Sequence, residues 1–259
     1  MGRLATHLCF GVGVVLAFFP WVSPARQRAF RRRWSRDLLA CLGVRLTVQG
    51  GAARATSGML VANHISWLDV FVISAVNEAT FVCRDDVRGW PVFGMLCVRT
   101  GTVFIDRSSR SAVRRVNEVL VARLDAGEPV AVFPEGTTGD GRSLMAFRPA
   151  LLQAAIDADR PLQPMALRYS RRDGAMAVEV AYAGETTLWQ SLCAIAGARG
   201  VTAHLSMLDA IPAAALPRRA LAERAQGAIH AALSQHEPVL FSAVGRGESC
   251  RASCAEAGA

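Results

Sequence analysis

From Leu46 onward the chain alternates short β-type apolar runs with longer stretches of helical periodicity, and this alternation restricts the fold more than any other feature. The runs are Arg45–Gln49, Met59–Ala62, Thr80–Cys83, Thr102–Ile105, Val130–Phe133, Gln163–Arg168, Ala177–Ala181 and Thr202–Met207. Between them, Trp67–Val76, Arg110–Ala126, Pro149–Ala158, Leu188–Arg199 and Arg218–Ser234 carry apolar residues at helical spacing. In 110–126 the stripe is Val113, Val116, Leu120 and Leu124, and Gly127 follows where a helix C-terminus needs it. Such a succession predicts an α/β domain: a largely buried mixed sheet flanked by helices.

A different kind of sequence precedes it. Leu4–Val22 is apolar apart from His7, and at roughly 19 residues of about 1.5 Å rise it just reaches a ~30 Å hydrocarbon core. Six arginines follow between positions 26 and 36. Ser23-Pro24-Ala25 resembles a cleavage site, but so much positive charge immediately afterwards opposes export. A single span, or a helix embedded in the inner leaflet, fits better. Either one puts the domain on the cytoplasmic side of the inner membrane. Over 26–43, Phe30, Trp34, Leu38, Leu39 and Leu42 recur at helical spacing among arginines. That pattern suits an anionic lipid surface, and it equally suits a core-facing helix with a solvated basic side. The division expected is 1–45 as membrane-associating helices, 46–235 as the α/β domain and 236–259 as an unstructured tail.

The net charge is +8, yet residues 1–45 hold eight arginines against Asp37 alone, so the body is nearly neutral. A nucleic-acid groove across the body is thereby disfavoured. All 29 basic residues are arginine. Schiff-base lysine chemistry and a P-loop lysine are excluded together, and Arg is left as the cation for gripping phosphate. The seven cysteines are an odd number, without a Cys-x-x-Cys pair, and read as reduced thiols. No histidine pair has ligand-like spacing with a carboxylate, so no metal is expected.

Three strings carry chemistry. In Asn63-His64-Ile65-Ser66-Trp67-Leu68-Asp69 a strand gives way to a helix. On a regular helix, residues five apart point about 140° apart, so His64 and Asp69 meet only across that junction. If they do, the carboxylate fixes the imidazole tautomer and leaves the other nitrogen to take a proton. In isolation, a satisfied loop histidine and a first-turn acid explain the same residues. In Gly101-Thr102-Val103-Phe104-Ile105-Asp106-Arg107 a strand delivers Arg107 at its C-terminal end, where α/β sheets bind ligands. A surface arginine paired with Asp106 is the plain alternative. In Val130-Ala131-Val132-Phe133-Pro134-Glu135-Gly136-Thr137-Thr138-Gly139 a buried strand ends in a Gly-rich turn whose amides can approach an anion.

In this order the strings resemble the glycerolipid acyltransferase family, whose bacterial members include 1-acylglycerol-3-phosphate acyltransferases. The resemblance covers roughly 59–168, with Leu162-Gln163-Pro164-Met165-Ala166-Leu167 standing for a looser fourth motif. It implies His64 as general base and Asp69 as its orienter, with Asn63, Arg107, Pro134, Glu135, Gly136 and Thr137 on the substrate-binding side. It further implies transfer of a fatty acyl group from acyl-CoA or acyl carrier protein to a lysophospholipid hydroxyl at the bilayer, without a cofactor. The chain departs from many relatives at Arg84, where they have Lys, and at Phe147-Arg148-Pro149-Ala150, where they read Phe-Lys-x-Gly-Ala. The second departure leaves room for another acceptor, such as a lyso-ornithine lipid. A serine hydrolase would need a Gly-x-Ser-x-Gly elbow, and Ser66 does not sit on one. A protein that only binds lipid surfaces would need no more than the first 45 residues.

Overall fold

The computed structural model describes residues 2–50, 58–90, 93–106, 109–214 and 216–235. Two helices, α1 (Gly2–Ala17) and α2 (Pro24–Cys41), lead into β1 (Arg45–Gln49) and β2 (Met59–Ala62). Then follow α3 (Leu68–Val76), β3 (Thr80–Arg84), α4 (Phe93–Arg99), β4 (Val103–Ile105), α5 (Arg110–Asp125) and β5 (Val130–Val132). The chain continues through α6 (Gln153–Asp157), β6 (Leu162–Ser170), α7 (Leu188–Gly197), β7 (Thr202–Met207) and α8 (Arg218–Ser234). The strands form one seven-stranded sheet in the order β1-β7-β6-β2-β5-β3-β4. Strands β2 to β6 run parallel, β7 is antiparallel to β6, and β1 is parallel to β7.

Every residue of β2 and β5 is buried, as expected of central strands with helices on both faces. One face packs Leu60, Met165, Leu167 and Leu205 against Leu38, Leu39, Leu68 and Val72 of α2 and α3. The other packs Met59, Val61, Val132 and Leu162 against Leu120, Leu124, Leu221 and Ile229 of α5 and α8. Because β2, β5 and β6 are parallel neighbours, their C-terminal ends share one rim, and the strings that follow β2 and β5 lie along it.

The structure corrects the sequence reading in two places and bears on a third. Leu4–Val22 is not one helix: α1 stops at Ala17, and a short 3-10 turn, Phe19–Trp21, carries Pro20. Sixteen residues of helix reach only about 24 Å at 1.5 Å each, short of the ~30 Å needed. Among the described residues no helix is long and apolar enough to cross a membrane. Instead α1 folds back on α2, where the His7 and Trp34 rings stack with centroids 4.9 Å apart. Gly11 permits this approach, since a Cβ there would lie 2.3 Å from the Trp34 indole.

Of the two readings of the basic helix, the core-facing one describes its apolar side, and several of its arginines are tied to the body. Arg28 and Arg32 pair with Glu78, Arg31 donates to Thr100 O at 3.0 Å, and Arg36 donates to Ala75 O at 2.7 Å. Leu38, Leu39 and Leu42, each 2% exposed, join the same core as the sheet. Finally, 177–181 is no strand. The edge of β6 is taken by β7, so the segment makes only a Ser170–Met176 bridge and a 3-10 turn, Val178–Val180, that drops Val180 into the core. Residues 236–259, expected as an unstructured tail, lie outside the described residues.

Candidate active site

The chain leaves β2 at Ala62, crosses Asn63–Trp67 without regular structure and enters α3 at Leu68. This bend lets residues five apart face each other. The Nδ1 of His64 lies 2.8 Å from Oδ2 of Asp69; the carboxylate is fully buried, while the imidazole side chain keeps 18% of its surface exposed. The same Oδ2 accepts from the backbone amides of Ile65 at 2.7 Å and Ser66 at 2.9 Å. Asp69 therefore holds both the loop and the ring. A carboxylate only accepts, so Nδ1 carries the hydrogen and Nε2 presents its lone pair. The ring plane is set by Phe133, whose ring stacks on it at 3.9 Å between centroids and 10° between planes.

Tyr169, on β6, completes the arrangement and was missed by the sequence reading. Its hydroxyl donates to Oδ1 of Asp69 at 2.6 Å from a fully buried position. Burial first, then the charge of Asp69 and the hydrogen bond to it, push its pKa well above the ordinary value. The phenol thus stays a donor. The available signal was the alternation along β6, which turns Met165, Leu167 and Tyr169 to the α3 face.

Two residues expected on the substrate side are committed to bracing. The Asn63 carboxamide donates to Leu167 O at 2.9 Å and accepts from Leu167 N at 2.7 Å, tying the end of β2 to β6. The Glu135 carboxylate, 4% exposed, accepts from His64 N at 2.7 Å and Met145 N at 3.0 Å. Burial raises its pKa even though those two amides pull the other way. Gly139 N also donates to His64 O at 2.8 Å, so the turn after β5 and the His64 loop form one unit. The amides of residues 64, 65, 66 and 139 are all occupied by these bonds.

Pro134 is buried and accepts from Arg148 N at 2.9 Å, and Gly136 takes φ +83 in the turn. Thr137 is exposed on that turn, while the Thr138 hydroxyl donates to Tyr182 O. Arg107 lies outside the described residues.

An open imidazole backed by a buried carboxylate, at the parallel end of an α/β sheet and beside a Gly-rich turn, is the equipment of a general base acting on a hydroxyl. Comparisons with known proteins identify the family. The family described as Acyltransferase matches residues 45–168. A lyso-ornithine lipid O-acyltransferase of Pseudomonas aeruginosa is 37% identical over 212 residues, covering 82% of this chain and 81% of that protein. A 1-acyl-sn-glycerol-3-phosphate acyltransferase of Neisseria meningitidis is 39% identical over 159 residues, covering 60% of this chain and 62% of that protein. The crystal structure of the 1-acyl-sn-glycerophosphate acyltransferase PlsC of Thermotoga maritima aligns with a TM-score of 0.66 over 87% of this chain and 88% of that one, at 18% identity, a likeness of fold. The chain belongs to the acyltransferase family, and it is an O-acyltransferase.

Proposed function

We propose that the protein moves a fatty acyl group from a thioester, acyl-CoA or acyl-carried on a carrier protein, to the free hydroxyl of a lysophospholipid, with 1-acylglycerol-3-phosphate as acceptor and phosphatidic acid as product. The observation that carries the reading is the 2.8 Å contact of the partly exposed His64 ring with the buried Asp69 carboxylate. Nε2 of His64 removes the hydroxyl proton as the acceptor oxygen attacks the thioester carbonyl. The tetrahedral intermediate collapses with cleavage of the C–S bond, and the departing thiolate takes the proton back from His64. A thiolate leaves readily, so the protein's task is to activate the alcohol and hold the oxyanion. With the amides of residues 64, 65, 66, 136 and 139 engaged, the oxyanion is assigned to the remaining amides of the Gly-rich turn near Thr137.

A second acceptor, a lyso-ornithine lipid, is favoured by the relative from Pseudomonas aeruginosa, whose alignment reaches across 82% of the chain. The sequence Arg148-Pro149-Ala150-Leu151, where many relatives read Lys-x-Gly-Ala, supports it as well. We place the reaction at the cytoplasmic face of the inner membrane, approached through the exposed Phe10, Phe18 and Trp21 of the α1–α2 hairpin. The test is a labelled acyl donor offered with a panel of lysolipids, comparing the native enzyme with His64→Ala. Transfer to one acceptor class and its disappearance in the variant are expected. Undiminished transfer by His64→Ala ends the mechanism.

A further inference from the structure

A cleft of about 520 Å³ opens where α2 and α7 end, beside the starts of β1 and β7, and three arginines line it: Arg45, Arg172 and Arg199. Its other walls are small or aliphatic, among them Gly43, Ala196, Ala198 and Gly200, and no carboxylate lines it. All three arginines are exposed, and among the described residues none of their guanidinium groups makes an ion pair or side-chain hydrogen bond. Several arginines elsewhere are matched to acids, among them Arg28 and Arg32 to Glu78, Arg123 to Glu128 and Arg171 to Glu179. Asp173, next to Arg172 in sequence, has its carboxylate engaged by Ala175 N at 3.0 Å.

The direction of Arg172 is built in. Gly200 has φ +76, and a Cβ there would fall 2.4 Å from the Arg172 side chain, so only glycine lets the arginine lie across this wall. Capping of the helix ends does not account for the three cations. Gly43 N donates to Ala40 O at 3.1 Å and Val44 N to Leu39 O at 2.9 Å, which closes the last turn of α2 with backbone alone. The two helix termini together offer about one unit of negative partial charge, less than three guanidinium groups carry.

Position gives the cleft its meaning. Strand β7 is antiparallel to β6, pairing Thr202 with Ser170, and β1 runs with β7. The starts of β1 and β7 therefore lie at the same end of the sheet as the C-terminal ends of β6 and β2, where His64 stands. In the order β1-β7-β6-β2-β5 the cleft is two to three strands from β2, about 10–14 Å across the sheet at ordinary strand spacing, and Ser170 lies beyond Met165, the partner of Ala62, which sets the cleft roughly 15 Å further along the strands. The Gly-rich turn follows β5, on the other flank of His64. A reaction that joins two substrates at one imidazole needs an approach from each side.

We propose that Arg45, Arg172 and Arg199 bind the phosphate groups of the acyl donor's coenzyme A nucleotide. The assignment rests on the acyl-transfer reading of His64. The pantetheine arm lies between the phosphates and the thioester, so an anion site set back from the base along the rim suits this donor. The cleft is concave and of small-molecule size, for which pockets of about 300–1,000 Å³ are usual. A carrier protein would instead cover about 800 Å² of surface. Guanidinium forks bind phosphate oxygens bidentately.

The test compares the full-length native enzyme with the triple variant Arg45→Gln, Arg172→Gln, Arg199→Gln, all exposed positions, with circular dichroism verifying the fold. The KM for palmitoyl-CoA is expected to rise about tenfold or more, with kcat at saturating donor and the acceptor KM unchanged. Desulfo-CoA should compete with palmitoyl-CoA in the native enzyme and lose that effect in the variant. Palmitoyl-pantetheine, which lacks the nucleotide, should be used equally by both. An unchanged KM for palmitoyl-CoA in the folded variant overturns the site. So does a defect confined to acyl carrier protein, with no competition by desulfo-CoA. His64→Ala separates this inference from the reaction itself: it should bind desulfo-CoA in calorimetry as the native enzyme does while losing turnover. If its turnover survives, the reaction reading fails, and desulfo-CoA binding to the native and triple-variant proteins still decides the cleft.

Discussion

Tyr169 and Asp69, a hundred residues apart in sequence, are joined by a 2.6 Å hydrogen bond on the carboxylate oxygen that does not hold His64. Asp69 is thereby fixed from both ends: by the ring and two amides at Oδ2, and by the phenol at Oδ1. In Tyr169→Phe the buried Oδ1 loses its donor at a cost of about 1.5–3 kcal/mol. A lower Tm and a several-fold fall in kcat with both KM values unchanged are expected, measured by calorimetry and steady-state kinetics. Because the folded pKa of Tyr169 is raised, its contribution to stability is full below the ordinary tyrosine value of about 10 and is lost as pH rises through the folded value. The phenylalanine variant should lack that alkaline loss.

Asp69→Asn separates charge from geometry. The amide oxygen can keep His64, Ile65 and Ser66, while its NH2 turns toward the Tyr169 hydroxyl, which can accept as well as donate. The fold should survive with a small change in Tm. The base loses the negative charge behind it, so kcat should fall by about 10² to 10⁴. A variant with native kcat would show that the carboxylate only shapes the loop.

Glu135→Gln removes one of two braces, because an amide accepts on one atom only and its NH2 would then face either His64 N or Met145 N, donor against donor. A fall of about tenfold in kcat is expected from the displaced His64 loop. The pH dependence carries a further signature. Burial raises the folded pKa of Glu135 above its unfolded value, so the native state holds this proton more tightly. The resulting stability is complete below the ordinary glutamate value of about 4.3 and is lost as pH rises through the folded value. Thermal melts across that window should show this slope in the native protein and not in the glutamine variant.

The sheet was legible because central strands buried on both faces are continuous apolar runs, as in Val130-Ala131-Val132, and because the 110–126 stripe admits no other periodicity. The His64–Asp69 contact was legible as a geometric condition, namely a bend between strand and helix. What escaped was whatever depends on partners far along the chain. Tyr169 is set against Asp69 by the pairing of β6 with β2, which local sequence does not encode. Segment 177–181 has the composition of a strand, but β6 beside it is already paired on both edges, and α4 is too short at seven residues to show a periodicity. The arginines of α2 advertise a membrane-facing charge, yet Arg28, Arg31, Arg32 and Arg36 are tied to the body by tertiary contacts.

Those contacts yield a prediction about attachment. Of the arginines of α2, Arg28, Arg31, Arg32 and Arg36 are engaged by the body, and Arg33 pairs with Asp37. The apolar residues of the hairpin behave oppositely: Trp21 is 87% exposed, Phe10 60% and Phe18 59%. Lipid attachment should thus draw more on aromatic insertion than on charge. In vesicle flotation, Phe18→Ser with Trp21→Ser should abolish most binding to neutral and anionic vesicles alike while the purified protein keeps its Tm. Arg28→Gln with Arg32→Gln should instead lower Tm, by releasing Glu78 from its partners, and leave flotation of the folded fraction nearly unchanged. Flotation lost through the arginine variants and retained by the aromatic ones would reverse the assignment and make attachment an electrostatic matter.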